Sequence, residues 1–324
     1  MNVGMKEALY FEQSVFQVDH LKELETVHKS LIVRGKKMHV EIFGNQQLSA
    51  VLFLHGGPGE SCYEFVYHQA KRLSEIFHLV AIDQRGVCRS EEINSTEEFG
   101  LRDLVEDCEE LRTQLGINMW AVIGHSFGGY VSLLYASAYP DSITKVIFEC
   151  PTFDFSWTSK SLLRRASSVF LSLGDPNKSA ECKSLATSDL QSKELFDQYL
   201  RLGEELGEKK AEIYRVNNLT SIDYSAYTDE EWELFADRTE IHLNRLREEG
   251  RMFESIVPLL TTLSVPSMLI LGEADPVTCD SHIQAYDQIS NGNKIMVENC
   301  GHTPHAERPD LYGLIVSTFL LSDK

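Results

Sequence analysis

Residues 119–129, Met-Trp-Ala-Val-Ile-Gly-His-Ser-Phe-Gly-Gly, constrain this chain more than any other stretch. Residues 119–123 form a short apolar run, as a buried parallel strand requires. Gly124-His125-Ser126-Phe127-Gly128 follows at once and has the form G-x-S-x-G. Residues 130–139, rich in Ala, Leu and Tyr and stopped by Pro140, predict a helix. A strand, a sharp turn and a helix in that order would hold Ser126 in a strained backbone conformation with its hydroxyl pushed out of the fold. Gly124 and Gly128 lack a Cβ, so strand and helix can approach each other beside the turn. A Gly-rich turn with an incidental serine is the plain alternative. The flanking strand and helix favour a nucleophile at Ser126.

Bulk properties set the limits. The chain has 324 residues, 43% hydrophobic and 24% charged, which suits one large globular domain or a core domain with an insertion. Its 30 basic and 49 acidic residues leave a net charge of −19, which argues against nucleic acid and anionic membrane as partners. The cysteines at positions 62, 88, 108, 150, 182, 279 and 300 are odd in number and form no C-x-x-C, as expected for a reducing compartment rather than a disulfide framework. No stretch reads as a signal peptide or a transmembrane helix. The expectation is a cytoplasmic protein of open oligomeric state.

The mixed pattern of residues 5–27 suggests a helical extension. Residues 30–33 and 38–43 read as a hairpin turning at Gly35-Lys36-Lys37. The apolar strand 50–54 runs into His55-Gly56-Gly57-Pro58-Gly59, a loop almost without side chains, whose N–H groups could approach a developing oxyanion. A helix over 63–75, a strand over 77–82 and an amphipathic helix over 96–115 follow. After residues 119–139 comes a strand over 143–150. This alternation predicts an α/β fold with a mostly parallel sheet flanked by helices. From Pro151 to about residue 262 no strand is predicted. Helical stretches at 160–173, 192–206, 229–247 and 252–260 suggest a cap inserted over the C-terminal edge of the sheet, where open α/β sheets bind ligands. The core is therefore assigned to 1–150 and 263–324, and the cap to 151–262. The sheet resumes with strands at 266–271 and 294–298, and the last helix spans 309–321.

Ser126, Asp275 and His302 occur in the order serine, acid, histidine, and each follows a predicted strand, so all three should reach one sheet edge. The chemistry needs them together. A serine is activated by a neutral imidazole, and the imidazole by a carboxylate that fixes its tautomer and stabilises its cation. Asp280 and His305 are the fallback acid and base.

These motifs resemble the α/β-hydrolases, and within them the proline iminopeptidase family of serine peptidases. His55-Gly56-Gly57-Pro58-Gly59 is similar to that family's oxyanion loop, and Asp83-Gln84-Arg85-Gly86-Val87-Cys88-Arg89-Ser90 to its D-Q-R-G-x-G-x-S segment. The turn at Gly124 to Gly129 and the loop Gly301-His302-Thr303-Pro304 resemble its nucleophile and histidine loops. The resemblance implies Ser126 as nucleophile, His302 as base and then acid, Asp275 as orienting carboxylate, and the N–H groups of Gly57 and Phe127 as oxyanion donors. It implies an acyl-enzyme, no metal or organic cofactor, and a short-peptide or small-molecule substrate whose free ammonium is held by cap carboxylates. Glu240, within Arg238-Thr239-Glu240-Ile241-His242, resembles one of these, with Glu204, Glu205 and Glu233 as further candidates. His302, His305 and Glu307 could also be imagined as metal ligands, a reading that the triad displaces. Cys88 stands where the family has glycine, Glu60 adds a charge beside the oxyanion loop, and the cap matches the family least. A carboxylesterase or lactonase with the same triad, or a slow receptor-like binding protein of the same fold, are the other readings.

Overall fold

The computed structural model describes residues 27–217 and 222–322. The suggested extension over 5–27 lies outside the described residues except for its last position. Eight strands form one sheet: β1 (Val27–Val33), β2 (Lys36–Phe43), β3 (Ala50–Leu54), β4 (His78–Ile82), β5 (Trp120–His125), β6 (Ile143–Glu149), β7 (Ser267–Gly272) and β8 (Gly292–Val297). Their order is β1-β2-β4-β3-β5-β6-β7-β8. β2 pairs antiparallel with both β1 and β4, and every other pairing is parallel. The hairpin turns one residue earlier than its sequence suggests, at Arg34 (φ 46°) and Gly35 (φ 81°).

The central strands are apolar on both faces because both faces are covered. Along β3, Val51 and Phe53 pack into one core while Leu52 and Leu54 pack into the other. The first of these cores is closed by α1 (Tyr63–Ser74) through Phe65, Ala70 and Leu73. The second is closed by α2 (Leu101–Gln114) and α3 (Phe127–Ala138). α2 begins five residues later than its acidic pattern suggests, where the Asp103 carboxylate accepts the Gly100 N–H at 3.0 Å and caps the helix.

Between β6 and β7 the described residues form helices only: α4 (Phe155–Ser172), α5 (Pro176–Ala186), α6 (Ser192–Glu205), α7 (Ala211–Tyr214), α8 (Asp229–Glu249) and α9 (Val257–Leu260), with short 3-10 turns. α5, with Pro176 in its first turn and the Asp175 side chain capping it, has too weak an apolar stripe to be read from sequence. Leu163, Ala166, Phe170, Leu195, Tyr199 and Leu202 give this insert an apolar cluster of its own. After β7 come α10 (Asp280–Tyr286), β8, α11 (Pro304–Glu307) and α12 (Pro309–Leu321), the last packing beside α1 through Tyr312, Val316 and Phe319. All seven cysteines are unpaired. Among the described residues no helix is long and apolar enough to cross a membrane.

Candidate active site

β5 runs to His125, and α3 starts at Phe127, three residues earlier than the sequence pattern indicates. Ser126 alone makes the turn, at φ 55° and ψ −118°, a region that costs a non-glycine residue of order 1–3 kcal/mol. Its N–H is tied to the Glu149 carbonyl at 2.9 Å. Both flanking glycines are obligatory. A Cβ at Gly124 would stand 2.4 Å from the Gly128 carbonyl oxygen, and one at Gly128 would stand 2.1 Å from that of Leu54. Because the helix begins directly after the serine, the Phe127 N–H belongs to its unsatisfied first turn, at the positive end of the helix dipole.

The glycine loop after β3 passes against Ser126, since a Cβ at Gly56 would lie 2.8 Å from the serine Cβ. Gly57, at φ 109°, takes a conformation that favours glycine. His55 holds the loop from beneath. Its Nε2 accepts the Gln84 N–H at 2.9 Å, which leaves Nδ1–H to donate to the Gly56 carbonyl at 3.0 Å. Burial pushes the His55 imidazole below its ordinary pKa and so keeps it neutral for both bonds.

Beyond β7, Asp275 reaches His302, which lies beyond β8, with Oδ1 and Nδ1 2.8 Å apart. Burial by itself would raise the pKa of Asp275. Attraction to His302, the hydrogen bond to it, and the N–H groups of Val277 (3.0 Å) and Thr278 (3.1 Å) outweigh burial and hold the carboxyl below its usual range. The His302 backbone is fixed from both sides. Its N–H donates to the carbonyl of Tyr214, from the insert, at 2.7 Å, and its carbonyl accepts from His125 Nε2 at 3.0 Å. Ser126, His302 and Gly57 line one cavity of about 560 Å³ whose opposite wall is insert, including Phe155, Phe196, Tyr199 and Tyr214. Cys150 also comes close: ligand atoms of Cys150, Asp275 and His302 lie within 4.8 Å of one another. Burial raises the Cys150 thiol well above its ordinary pKa, which leaves it a poor anionic ligand.

The fallback pair is not brought together. Asp280 is exposed at the start of α10. His305 is buried and gives Nδ1 to Glu149 at 2.8 Å. Burial alone would lower the pKa of His305, but the Glu149 charge and hydrogen bond more than offset it and raise the value. Glu307 is a staple between the histidine loop and the insert, accepting the N–H groups of Gly301 (3.0 Å), Val216 (3.1 Å) and Asn217 (3.0 Å).

Glu240 is not brought to this cavity. It is exposed on α8 and does not line the cavity. The residues around it in Arg238-Thr239-Glu240-Ile241-His242 act as a clamp. Arg238 donates to the Cys88 carbonyl at 3.1 Å, and buried His242 donates from Nδ1 to the Arg85 carbonyl at 2.7 Å. Thr239 crowds Gly59, where a Cβ would lie 2.7 Å from its methyl. Glu204 and Glu233 are exposed, and Glu205 is paired with Lys178 and Arg201. None of the three lines the cavity. The acids that do are Glu60 from the core loop and Glu208 from the insert, accompanied by Lys210 and Arg215. No local pattern marks the last three, because the insert carries no motif and its path is set by packing.

The Asp83-to-Ser90 segment is scaffold. Asp83 binds Arg89 through Oδ2 to Nε at 2.7 Å, and Arg85 forms a two-pronged pair with Asp107 at 2.7 and 2.6 Å. Cys88, in the place of the family's glycine, sits at φ 47°, where glycine would be unstrained.

Residues 49–309 match the model of a family described as alpha/beta hydrolase fold. The chain belongs to the alpha/beta hydrolase fold family. Within it the chain is similar to proline iminopeptidases. It is 35% identical to the one from Neisseria gonorrhoeae over 133 residues, 39% of this chain and 41% of that relative, so the match spans about two fifths of the relative's length. It is 23% identical to the proline iminopeptidase of Heyndrickxia coagulans over 281 residues, 84% of this chain and 90% of that one. The crystal structure of a proline iminopeptidase-related protein from Thermus thermophilus superposes with a TM-score of 0.65 at 20% identity, covering 91% of this chain and 96% of the other. That likeness is one of fold.

Proposed function

We propose that this alpha/beta hydrolase is a serine hydrolase acting through an acyl-enzyme, of the proline iminopeptidase type, releasing N-terminal residues from short peptides. The observation that carries the reading is the sharp turn at Ser126 facing the same cavity as His302, whose far nitrogen is oriented by Asp275. His302, held in one tautomer by its Nδ1 bond to Asp275, takes the Ser126 proton as the oxygen attacks the substrate carbonyl. The oxyanion is received by the N–H of Phe127 and that of Gly57. The imidazolium returns its proton to the leaving amine. Water, activated by the same imidazole, then releases the acyl group. The helical insert acts as a cap that shapes the substrate cavity.

A carboxylesterase or lactonase is the second reading. Glu240, Glu204, Glu205 and Glu233 all lie off the cavity, where Glu208 is the insert's carboxylate, and this placement supports a substrate without an ammonium held by those four.

The test is a paired turnover assay of prolyl-arylamide against a short-chain aryl ester, in wild type and Ser126→Ala. Both activities should fall by roughly 10⁶-fold in the variant while its melting temperature is kept. Near-normal turnover by Ser126→Ala refutes the mechanism. Ester turnover without amide turnover in the wild type selects the second reading.

A further inference from the structure

A second, smaller cavity of about 190 Å³ adjoins the first, and both are lined by Glu60, Arg215 and Thr303. Its other walls include the rings of Tyr63, Tyr224 and Trp232 and the imidazole of His125. Tyr63 and Tyr224 stack at 5.6 Å, and Trp232 meets them edge-on at 5.6 and 5.4 Å. The cations that line the cavity are engaged elsewhere: His305 is bound to Glu149 at 2.8 Å. Arg215 is taken by Glu64 at 2.8 Å. Glu60 has no Lys or Arg partner among the described residues, and its nearest basic atom is His125 Nδ1 at 3.8 Å.

His125 does not neutralise Glu60. Its Nε2 faces the His302 carbonyl at 3.0 Å, and a carbonyl only accepts, so Nε2 carries the hydrogen. The ring is buried, and desolvation together with the neighbouring His302 and His305 keeps it neutral, with its pKa lowered to about 3. Nδ1 is therefore a lone pair, and among the described residues no N–H or O–H donates to it. Two acceptors 3.8 Å apart, one of them anionic, beside an aromatic wall, suit a cation with at least two N–H groups.

We infer that Glu60 and His125 Nδ1 form an ammonium-binding subsite, walled by Tyr63, Tyr224 and Trp232, that reads a protonated amine on the acyl half of the substrate. The inference rests on the hydrolase reading above and assigns substrate selection to a core loop instead of the insert. The span to the serine sets the amine's place. The Glu60 Oε2 and the Ser126 Cβ are each 2.8 Å from the position a Gly56 Cβ would take, so they are no farther apart than twice that distance. An acyl group on Ser126 whose α-carbon bears the amine spans this gap. An amine several carbons farther out does not.

The experiment compares kcat/KM for the 4-nitrophenyl esters of alanine, propionic acid and 6-aminohexanoic acid, in wild type and Glu60→Gln, at about pH 6, where the α-amino group is protonated. Propionate is the neutral match for alanine. It also reports whether the variant is folded, and the Glu60 side chain is 59% exposed, so its amide is easily accommodated. The expected result is a wild-type alanine-to-propionate ratio above about ten that drops at least roughly tenfold in Glu60→Gln, with 6-aminohexanoate behaving like propionate. A ratio near one in the wild type, or one that Glu60→Gln leaves unchanged, overturns the subsite while propionate turnover keeps the hydrolase reading intact. A rate gain for 6-aminohexanoate in place of alanine overturns the assigned position of the amine. Failure of the wild type to turn over any of the three esters, or turnover that survives Ser126→Ala, removes the hydrolase reading and the inference with it.

Discussion

Arg89→Met separates scaffold from chemistry in the Asp83-to-Ser90 segment. The guanidinium binds Asp83 through Nε (2.7 Å) and Nη2 (2.9 Å), and Glu41 through Nη1 (2.5 Å). The Asp83 side chain is fully buried and that of Glu41 is 4% exposed. Burial alone would raise the pKa of Asp83, yet Arg89 holds it well below the usual carboxylate range. Methionine fills the space of the arginine stem and removes the charge shared by the two buried carboxylates, of which Glu41 keeps His39 Nε2 at 3.1 Å. Asp83 keeps the N–H of Cys62 (2.9 Å) and that of residue 89 (3.2 Å), which limits the damage. Stranding one partner of a buried pair costs about 3–5 kcal/mol, a large part of the roughly 5–15 kcal/mol that typically holds a domain folded. Urea unfolding followed by far-UV circular dichroism should show the midpoint falling by about 1 M or more. The deficit should shrink between pH 7 and pH 5, because an unpaired Asp83 takes up a proton more readily, and Asp83→Asn in the same chain should restore part of the loss. A cost below about 1 kcal/mol refutes the reasoning. So does normal stability combined with lost turnover, which would place the segment in the chemistry.

Asp275→Asn should lower kcat by about 10³–10⁴-fold with the fold retained, because asparagine has one acceptor oxygen where His302 and the Thr278 N–H use two, its NH₂ only donates, and the imidazole tautomer is lost; a loss below about tenfold in ester turnover would remove Asp275 from the triad. Burial lowers His125 and His242 to about 3, and His68 and His282 to about 4. The unfolded chain therefore binds more protons below about pH 6.5, so their contribution to stability is complete above that pH and is lost as pH falls toward the folded values. His305, with a raised pKa, works the opposite way, contributing below about 6.5 and losing its effect as pH rises. With His55, which burial also lowers, five imidazoles against one predict a lower melting temperature at pH 5 than at pH 7.5 by scanning calorimetry, and an equal or higher value at pH 5 contradicts the neutral burial of these rings.

Much of the candidate site was legible because its constraints are local. The turn at Ser126 needs glycine on both sides, since any Cβ there collides with backbone, and that requirement is written in five consecutive residues. Asp275 and His302 could be nominated because each follows an apolar run, and parallel strands deliver their C-terminal ends to one edge. The insert was different. Its helices were readable from Ser192 and Asp229 onward, but the direction Glu240 faces was not: the outcome depends on α8 being clamped to the core through Arg238, Thr239 and His242. A helix shows every face equally in its sequence, and only docking decides which one meets the cavity.

By itself, then, the sequence determined the strands, the strained serine turn and which serine, acid and histidine follow strand ends, because backbone sterics and hydrophobic period act over a few residues. The tertiary structure decided which acids line the cavity. Glu60 gained its place beside Ser126 and His125 through a loop crossing over another strand's end, and Tyr214 came to hold the His302 backbone from a distant part of the chain. Those relations depend on distances between segments far apart in sequence, which the pairing of β3 with β5 brings together for Glu60 and packing of the insert on the sheet edge for Tyr214.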